Sequence, residues 1–406
     1  MIIDGLINHE NESRIFLYIV WITIALSGFV VFEPAPYDVL ILSLFLFGFL
    51  FDRIKIPGHV KVPMLLLWLF ILGNLISLFF APEYTQGVRY FLITLYLAVT
   101  WIFFVSFIDS YGDSAVKVII NGYAVAAGIS VTLGLLSYFN LFSSSFFRTG
   151  GARLMFGFKD ANVYGPFLVF IFLVAIAKIE TGVFRERLMW CTLLFASLAA
   201  IFLSFSRGAW LNVAVAFASY IVLRIFMADN IGNVFRRVLY AAGILLIAVI
   251  LLHYILAVPE ASETLVNRLQ IQSYDINRFS VQRIALSEIL SNPFGIGPLQ
   301  SKYRYSLGPH NLFIGVMIEY GFIGGLSFII LVLATLLRSF RLIRRGDKKW
   351  RWLYPIIASS ILGLLANSLF IDSLHWRHLW LLLALPWAFK YKDSDSRRTV
   401  QLESKE

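Results

Sequence analysis

Residues 238–257 read VLYAAGILLIAVILLHYILA, a run of twenty residues without a charged side chain. A helix of about 20 apolar residues is long enough to cross the hydrocarbon core of a bilayer. Comparable runs recur along the chain, which is 59% hydrophobic and has a mean hydropathy of +0.79. The hydrocarbon core of a bilayer contains no water that could hydrogen-bond to unpaired backbone N–H and C=O groups, so a spanning segment must be a helix or part of a closed barrel. The alternating pattern of barrel strands is absent from this sequence, and helices are therefore the expected spanning elements. The composition therefore predicts an all-α polytopic membrane protein.

Polar breaks divide the sequence into twelve candidate transmembrane helices. They lie near residues 15–32, 36–51, 62–80, 88–108, 115–136, 162–179, 188–204, 209–226, 238–257, 311–336, 353–371 and 374–389. The second and the last are short, which indicates a tilted or partly re-entrant segment. We predict one integral membrane domain over residues 1–406, with a large outer loop at 258–310, between the ninth and tenth helices, and a tail at 390–406.

Basic residues orient this arrangement, because Lys and Arg are retained in short cytoplasmic loops. Most of the 34 basic residues fall in loops that alternate along the chain, such as 338–351, and in the tail. These loops and both termini are predicted to be cytoplasmic. The net charge of +10 is then a topology signal, and binding to nucleic acid is not needed to explain it.

Some basic residues fall on the predicted outer side instead. They are Arg89, Arg148, Arg153, Lys159, Arg207, Arg268, Arg278, Arg283, Lys302, Arg304 and Arg377. Guanidinium groups hold a pyrophosphate through paired hydrogen bonds without losing their own charge. A single member of the set is equally well explained as a solvated or snorkelling side chain. As a group, they predict an anion site at the outer face.

His310 and Asn311 stand directly before the tenth predicted helix, in the run GPHNLF at 308–313. An imidazole titrates near neutral pH and can take a proton from a hydroxyl group. Asn311 is expected to cap the helix and to hold His310 at the interface; the alternative is a plain polar residue before a helix. Glu319 lies about 12 Å further along, where an acid should face protein or a cavity. It either orients His310 through a partner or pairs with a buried arginine such as Arg207.

A further helix, which does not cross the membrane, is expected within the outer loop, at residues 278–290. Its apolar positions recur at helical spacing, namely Val281, Ile284, Ala285 and Ile289. This pattern is typical of an amphipathic helix on the membrane surface. Such a helix would bring Arg283 to the anion site, although a plain interfacial helix is the alternative.

Three segments resemble the O-antigen ligase and polymerase superfamily. They are RFSVQRIAL at 278–286, NPFGIGP at 292–298, and the His310–Asn311 pair with EYGFIGG at 319–325. RTGGARLMFGFKDAN at 148–162 and SFSRG at 204–208 add to the resemblance, which covers residues 145–385. The chain departs from the family at 159–162, which reads KDAN where relatives often carry a proline–asparagine pair. Asn162 is therefore left out of the carried-over site.

The resemblance implies a metal-independent, inverting glycosyltransferase without a cofactor, acting at the periplasmic face of the bacterial inner membrane. Such enzymes transfer glycan from undecaprenyl pyrophosphate to a sugar hydroxyl. The acceptor is lipid A core in a ligase or another lipid-linked glycan in a polymerase, and we favour the ligase. By the resemblance, His310 is the catalytic residue. The donor pyrophosphate is expected to bind Arg148, Arg153, Arg207 and Arg283.

Other residues carry weaker hypotheses. Arg377 and His375 lie in a short outer turn and are candidate acceptor contacts, whereas Glu33 and Asp38 are the alternative base. Residues 393–395 read DSD, as in DxD metal motifs, but they lie in a charged tail where chance explains them better. No metal site is predicted. A transporter of lipid-linked glycan is the alternative of another class, although no internal halves are visible.

Overall fold

The computed structural model describes residues 2–141, 153–270 and 273–391, with side chains from residue 13 onward. Its helices are α1 (Ile2–Ala25), α2 (Pro36–Leu50), α3 (Lys61–Ser77), α4 (Tyr84–Tyr138), α5 (Ala161–Thr181), α6 (Phe184–Leu203), α7 (Arg207–Phe226), α8 (Ile231–Leu256), α9 (Pro259–Leu269), α10 (Ser273–Glu288), α11 (Gln300–Arg304), α12 (Leu312–Arg345), α13 (Tyr354–Ser368) and α14 (Arg377–Ala388). Within these ranges there is no β-strand, seven helical units are long and apolar enough to cross a membrane, and three apolar helices are shorter. The expected all-α polytopic membrane fold is confirmed.

The fourth and fifth predicted spans belong to one unit, α4, which covers 55 residues with a break at Gly112. A straight helix of that length would measure about 80 Å, far more than the ~30 Å hydrocarbon core. Gly112 has φ 51° and ψ −123°, a conformation that glycine adopts readily. Near the two ends of α4, Gly87 lies against Pro298 and Gly134 lies against Phe156, both in predicted outer segments. The two halves therefore turn back on each other, as two separate spans require.

Helix α5 forms the centre of the bundle. It is apolar on all sides, and every residue from Tyr164 to Ala177 is buried, as expected for a helix surrounded by others. Helix α8 is the opposite case, because none of its apolar window is buried. Its side chains are therefore available to lipid. The last helix, α14, has only 12 residues, so the expectation of a short final span is confirmed.

The outer loop contains three helices, α9 to α11. Helix α10 begins at Ser273, five residues before the expected start, and Val281 and Ala285 are buried on one face. Ala285 packs with Ile296 of the following loop and Ile318 of α12. A helix is present in this segment, and Ala285 of its apolar face packs against α12, whereas Ile284 is 47% exposed. Its position on the membrane surface stays a prediction.

A break at Gly321 (φ 65°, ψ −166°) interrupts α12 and receives the preceding loop. The loop amide of Ile296 donates to the carbonyl of Ile318 at 3.0 Å, and that of Gly297 donates to the carbonyl of Glu319 at 3.1 Å. In the other direction, the amide of Phe322 donates to Pro293 at 2.9 Å. The loop thus provides hydrogen-bond partners for backbone N–H and C=O groups that have none within the interrupted helix. These hydrogen bonds attach the outer loop to α12.

We expect Gly321→Ala to destabilise the protein and Gly315→Ala, in the same helix, to leave its stability unchanged or slightly raised. A Cβ at Gly321 would lie 2.3 Å from the carbonyl oxygen of Pro293 on a positive φ, whereas one at Gly315 meets nothing within 4 Å. Overpacking of this kind costs about 1–3 kcal/mol, and Ala favours a regular helix. Thermal denaturation in detergent, followed by size-exclusion chromatography, measures both. Equal melting temperatures for the two variants would contradict the close approach.

Candidate active site

Four arginines converge on one cavity of about 680 Å³, at the end of the bundle where α9 and α10 lie, here called the arginine cavity. They are Arg153, Arg207, Arg268 and Arg278, and they come from the segment before α5, from α7, from α9 and from α10. The rest of the wall includes apolar side chains such as Leu211, Phe279 and Phe370. The cavity therefore combines guanidinium groups with an apolar surface.

Arg153 is fixed from two sides. Its Nε donates to the carbonyl of Ser204 at 2.9 Å, and one terminal nitrogen donates to Oδ1 of Asn162 at 2.8 Å. Asp160 caps α5 by accepting from the amide of Asn162 at 2.8 Å, so this cap also positions the Asn162 side chain. Burial, and after it the charge of Arg268, lower the pKa of Arg153.

Arg207 is the first residue of α7 and pairs with Asp275 of α10 at 2.6 Å. It also donates to the Tyr274 hydroxyl at 3.1 Å, and Arg268 reaches the same hydroxyl at 3.3 Å. Helix α7 can begin here because Ser206 caps it, accepting from the amide of Ala209. The contacts join α7, α9 and α10 around the cavity.

One face of α10 lines the arginine cavity. Tyr274, Arg278 and Gln282 are spaced four residues apart, which places them on one side of a helix. The Arg278 guanidinium lies 5.0 Å from the centre of the Tyr274 ring. Arg283 points elsewhere: its side chain is exposed and does not line the cavity. The structure therefore brings Arg278 to the site from α10, and not Arg283.

His310 lies in a second cavity of about 290 Å³, here called the histidine cavity, together with Tyr90, Lys302, Glu319 and Asp372. Its backbone has φ 47°, so it occupies the left-handed region just before α12. Burial and the charge of Arg278 lower the pKa of His310 to about 4, although Asp160 acts in the opposite direction. At neutral pH the imidazole is therefore uncharged and can accept a proton.

Electrostatic effects link His310 to a residue of the arginine cavity. Arg278 lines that cavity and acts on the pKa of His310. Asp160 acts on the pKa of both His310 and Arg153. The predicted base is thus within electrostatic range of one cation of the arginine cavity, Arg278. A cation near the base can stabilise an anionic leaving group.

Asn311 caps α12, as the sequence predicts. Its Oδ1 accepts from the amides of Phe313 and Ile314 at 3.0 and 3.1 Å, and its amide nitrogen donates to the carbonyl of Leu369 at 3.0 Å. Since Leu369 follows α13, the cap ties two helix ends together beside His310.

Glu319 has a different role from the expected pairing with Arg207, which is wrong. It is buried and accepts from the amide of Leu299 at 2.9 Å and from the hydroxyl of Ser301 through a short hydrogen bond. These contacts hold the loop before α11 against α12. Glu319 nevertheless lines the histidine cavity, where it supports the wall that faces His310.

The remaining predicted residues lie apart from these two cavities. Arg377 forms a two-pronged ion pair with Asp38, at 2.6 and 2.5 Å, and Asp38 also accepts from Tyr96 at 2.8 Å. Glu33 pairs with Lys159 at 3.0 Å. Glu33 and Asp38, the two alternative bases, are therefore both engaged in ion pairs. Arg148 and the DSD run at 393–395 lie outside the described residues.

Sequence reasoning missed several residues of the arginine cavity. Arg268 and Arg278 belong to the outer cationic set, but no motif distinguishes them from its other members. The spacing of Tyr274, Arg278 and Gln282 was the available signal, since i, i+4 positions share a helix face. Asn162, left out because of the KDAN departure, is the residue that holds Arg153.

Residues 192–329 match the family model of the O-antigen ligases. The matched range runs from α6 to α12 and includes Arg207, Arg268, Arg278 and His310. No curated protein matches the chain significantly. The resemblance to the O-antigen ligase and polymerase superfamily is confirmed over this range. It supports an O-antigen ligase- or polymerase-like function for a multi-pass membrane protein.

Proposed function

We propose that the protein is a metal-independent, inverting glycosyltransferase of the O-antigen ligase type. It transfers glycan from undecaprenyl pyrophosphate to a sugar hydroxyl on lipid A core, at the periplasmic face of the inner membrane. The observation that carries the proposal is the charge of the arginine cavity. Four guanidinium groups line the cavity with a single carboxylate, Asp275, so the wall has an excess of positive charge even with Asp160 near Arg153. A pyrophosphate that links a lipid to a sugar carries two negative charges.

The apolar part of the cavity wall supports a lipid-linked donor. Phe279 and Phe370 are 48% exposed each, so they offer apolar surface beside the cationic groups. An isoprenoid chain attached to a pyrophosphate needs both kinds of surface at once. A soluble nucleotide sugar has no isoprenoid chain to place on this surface.

The reaction follows from the placement of His310. Its neutral ring takes the proton of the acceptor hydroxyl while that oxygen attacks the anomeric carbon of the donor sugar. The bond from that carbon to the phosphate oxygen breaks, and undecaprenyl pyrophosphate leaves with the bonding electrons. The arginines stabilise the charge that develops on the leaving group. A single displacement of this kind inverts the configuration at the anomeric carbon.

The test is transfer by the purified protein in liposomes that contain a lipid-linked glycan, with and without a lipid A core acceptor. We expect a single capped product that forms only with the acceptor and that persists in EDTA, because guanidinium groups supply the electrophilic help. A ladder of repeats without lipid A core would show a polymerase instead. Movement of the donor across the bilayer without any product would show a transporter, and loss of product in EDTA would contradict the metal-free reaction.

Membrane orientation is tested separately with single cysteines in a Cys191→Ser background. Lys302 and Arg344 are both exposed and lie on the predicted outer and inner sides. We expect an impermeant maleimide to label Lys302→Cys in spheroplasts and to label Arg344→Cys only after the membrane is opened, because the basic loop around Arg344 is retained inside. The reverse pattern would place the arginine cavity in the cytoplasm and would contradict the periplasmic reaction.

A further inference from the structure

Tyr274, the second residue of α10, contacts three of the four arginines that line the arginine cavity. Its hydroxyl oxygen accepts from Arg207 at 3.1 Å and from Arg268 at 3.3 Å. Its ring centre lies 5.0 Å from the guanidinium carbon of Arg278, which is one helical turn further along the same face. The three arginines belong to α7, α9 and α10, so one side chain joins the cations of three helices.

Two of these arginines depend on Tyr274 for their position. Arg207 has a second partner, because it pairs with Asp275 at 2.6 Å. Among the residues that the structure describes, the guanidinium of Arg268 forms its only hydrogen bond with Tyr274, and that of Arg278 forms neither a hydrogen bond nor an ion pair. The phenol is therefore the contact that keeps these two guanidinium groups together in the cavity.

The hydroxyl of Tyr274 gathers cations without neutralising them. A carboxylate at this position could also bind Arg207 and Arg268, but it would remove positive charge from a wall that has one carboxylate already, Asp275. An uncharged hydroxyl accepts the same hydrogen bonds and leaves the charge of both guanidinium groups to a ligand. This choice of side chain suits a site for an anion.

The O–H group of Tyr274 remains a donor in search of an acceptor. A phenol oxygen can accept two hydrogen bonds and donate one. Arg207 and Arg268 supply the two that it accepts, and within the described ranges its O–H donates to no residue. A ligand oxygen that accepted from it at the usual distance of about 2.7 Å would lie within about 6 Å of both guanidinium nitrogens.

We propose that Tyr274 is a binding residue of the donor site, whose hydroxyl donates to a phosphate oxygen of the lipid-linked pyrophosphate while it holds Arg207 and Arg268 near the same phosphate. Its ring holds Arg278. The inference rests on the proposed function and adds to it a residue that lies outside the segments that carry the resemblance. A headgroup of an anionic phospholipid has the same phosphate chemistry, so the experiment distinguishes the two sources.

The experiment measures binding of farnesyl pyrophosphate, a short isoprenyl pyrophosphate without a sugar, to the protein in phosphatidylcholine nanodiscs. Isothermal titration calorimetry is recorded for wild type, Tyr274→Phe and Tyr274→Leu. We expect Tyr274→Phe, which lacks only the hydroxyl, to bind about tenfold more weakly, because a hydrogen bond to a charged group is lost. Tyr274→Leu should lose about a further threefold, since the cation–π contact with Arg278 is removed as well.

The matched controls are Tyr303→Phe and Tyr303→Leu. Tyr303 is an exposed tyrosine of α11 that lines neither the arginine cavity nor the histidine cavity. Both variants should bind the probe as tightly as the wild type, and empty nanodiscs correct for probe that dissolves in the bilayer. The titration is repeated with phosphatidylglycerol in the nanodiscs. If the difference between wild type and Tyr274→Phe disappeared there, a phospholipid headgroup would occupy the site and the proposal would be wrong.

Other results would also overturn the proposal. Equal affinity of wild type and Tyr274→Phe would remove the hydroxyl from the site, and absence of binding to the wild type would remove the site itself. Melting temperatures in the same nanodiscs identify a folding defect; should Tyr274→Leu fail to fold, Tyr274→Phe, which lacks one oxygen, decides alone. In the transfer assay, kcat/KM for the lipid-linked donor should fall about tenfold in Tyr274→Phe. A rise in the KM for the acceptor alone would contradict the assignment to the donor.

The binding measurement separates this inference from the proposed function, because it needs no transfer. A wild type that binds the probe through Tyr274 but forms no glycan product would retain the pyrophosphate site and overturn the glycosyltransferase. Conversely, normal transfer by Tyr274→Phe together with unchanged probe binding would retain the glycosyltransferase and remove Tyr274 from its donor site.

Discussion

Replacing His310 with alanine should lower the rate of glycan transfer by about 100-fold or more, while the protein still folds. A general base in the right position contributes about 10²–10⁴-fold. The side chain borders a cavity instead of filling the core, so its removal leaves little unfilled space. The measurement is the initial rate of product formation in liposomes, at equal amounts of protein with equal melting temperatures.

A second variant distinguishes loss of the imidazole base from a disturbance of the backbone conformation at residue 310. His310 has φ 47°, which asparagine tolerates better than most residues. His310→Asn therefore retains the local conformation and a polar side chain but removes the base, and we expect the same loss of activity. If His310→Asn were as active as the wild type, the imidazole would have no part in proton transfer.

The pH profile follows from the pKa of His310, which burial and Arg278 lower to about 4. The neutral, active form is present above this pKa, so the rate should stay level from pH 8 to about 5 and fall towards pH 4. Removing the charge of Arg278 should raise the pKa, because a positive neighbour disfavours the imidazolium. At saturating donor, the reaction rate of Arg278→Ala should therefore begin to fall at a higher pH than that of the wild type.

The spans could be predicted from the sequence because each is a long apolar run between polar breaks. Hydropathy depends on composition and not on partners, so neighbouring helices do not alter it. The break between the fourth and fifth spans was predicted at the right place, because Asp109, Ser110 and Asp113 surround Gly112 and interrupt the apolar run. Hydropathy did not indicate how short the turn is, since only Gly112 departs from helical backbone angles.

The candidate site could be predicted only in part, because it depends on how helices rotate against each other. Arg278 and Arg283 are chemically identical, and both lie in the segment that carries the resemblance. Val281 and Ala285 of α10 are both buried, and Ala285 packs against Ile318 of α12, which fixes the rotation that presents Arg278 to the cavity. Ile296 of the 292–298 loop belongs to the same contact.

Glu319 shows the same dependence on tertiary contacts. The sequence indicated a buried acid that either orients His310 through a partner or pairs with a buried arginine such as Arg207. In the structure, Asp275 pairs with Arg207, and the loop before α11 brings Leu299 and Ser301 to Glu319. Both partners lie in the outer loop, whose path no periodicity reveals.

Arg278→Ala and Arg283→Ala should differ sharply in their use of the donor, although they alter the same helix five residues apart. We expect Arg278→Ala to lower kcat/KM for the lipid-linked donor by about 10- to 100-fold, since hydrogen bonds to charged groups contribute about 1.5–3 kcal/mol. Arg283→Ala should stay within about twofold of wild type, because its side chain is exposed and away from the cavity.

Lysine substitutions complete the comparison. Arg278→Lys should recover only part of the lost donor use, because an ammonium group lacks the paired donors with which a guanidinium holds two phosphate oxygens. Arg283→Lys should again resemble the wild type. The measurement is the initial rate against donor concentration at a fixed, saturating acceptor. If Arg283→Ala proved the damaging change and Arg278→Ala the neutral one, α10 would present its other face to the donor, and the arginine cavity would not be the pyrophosphate site.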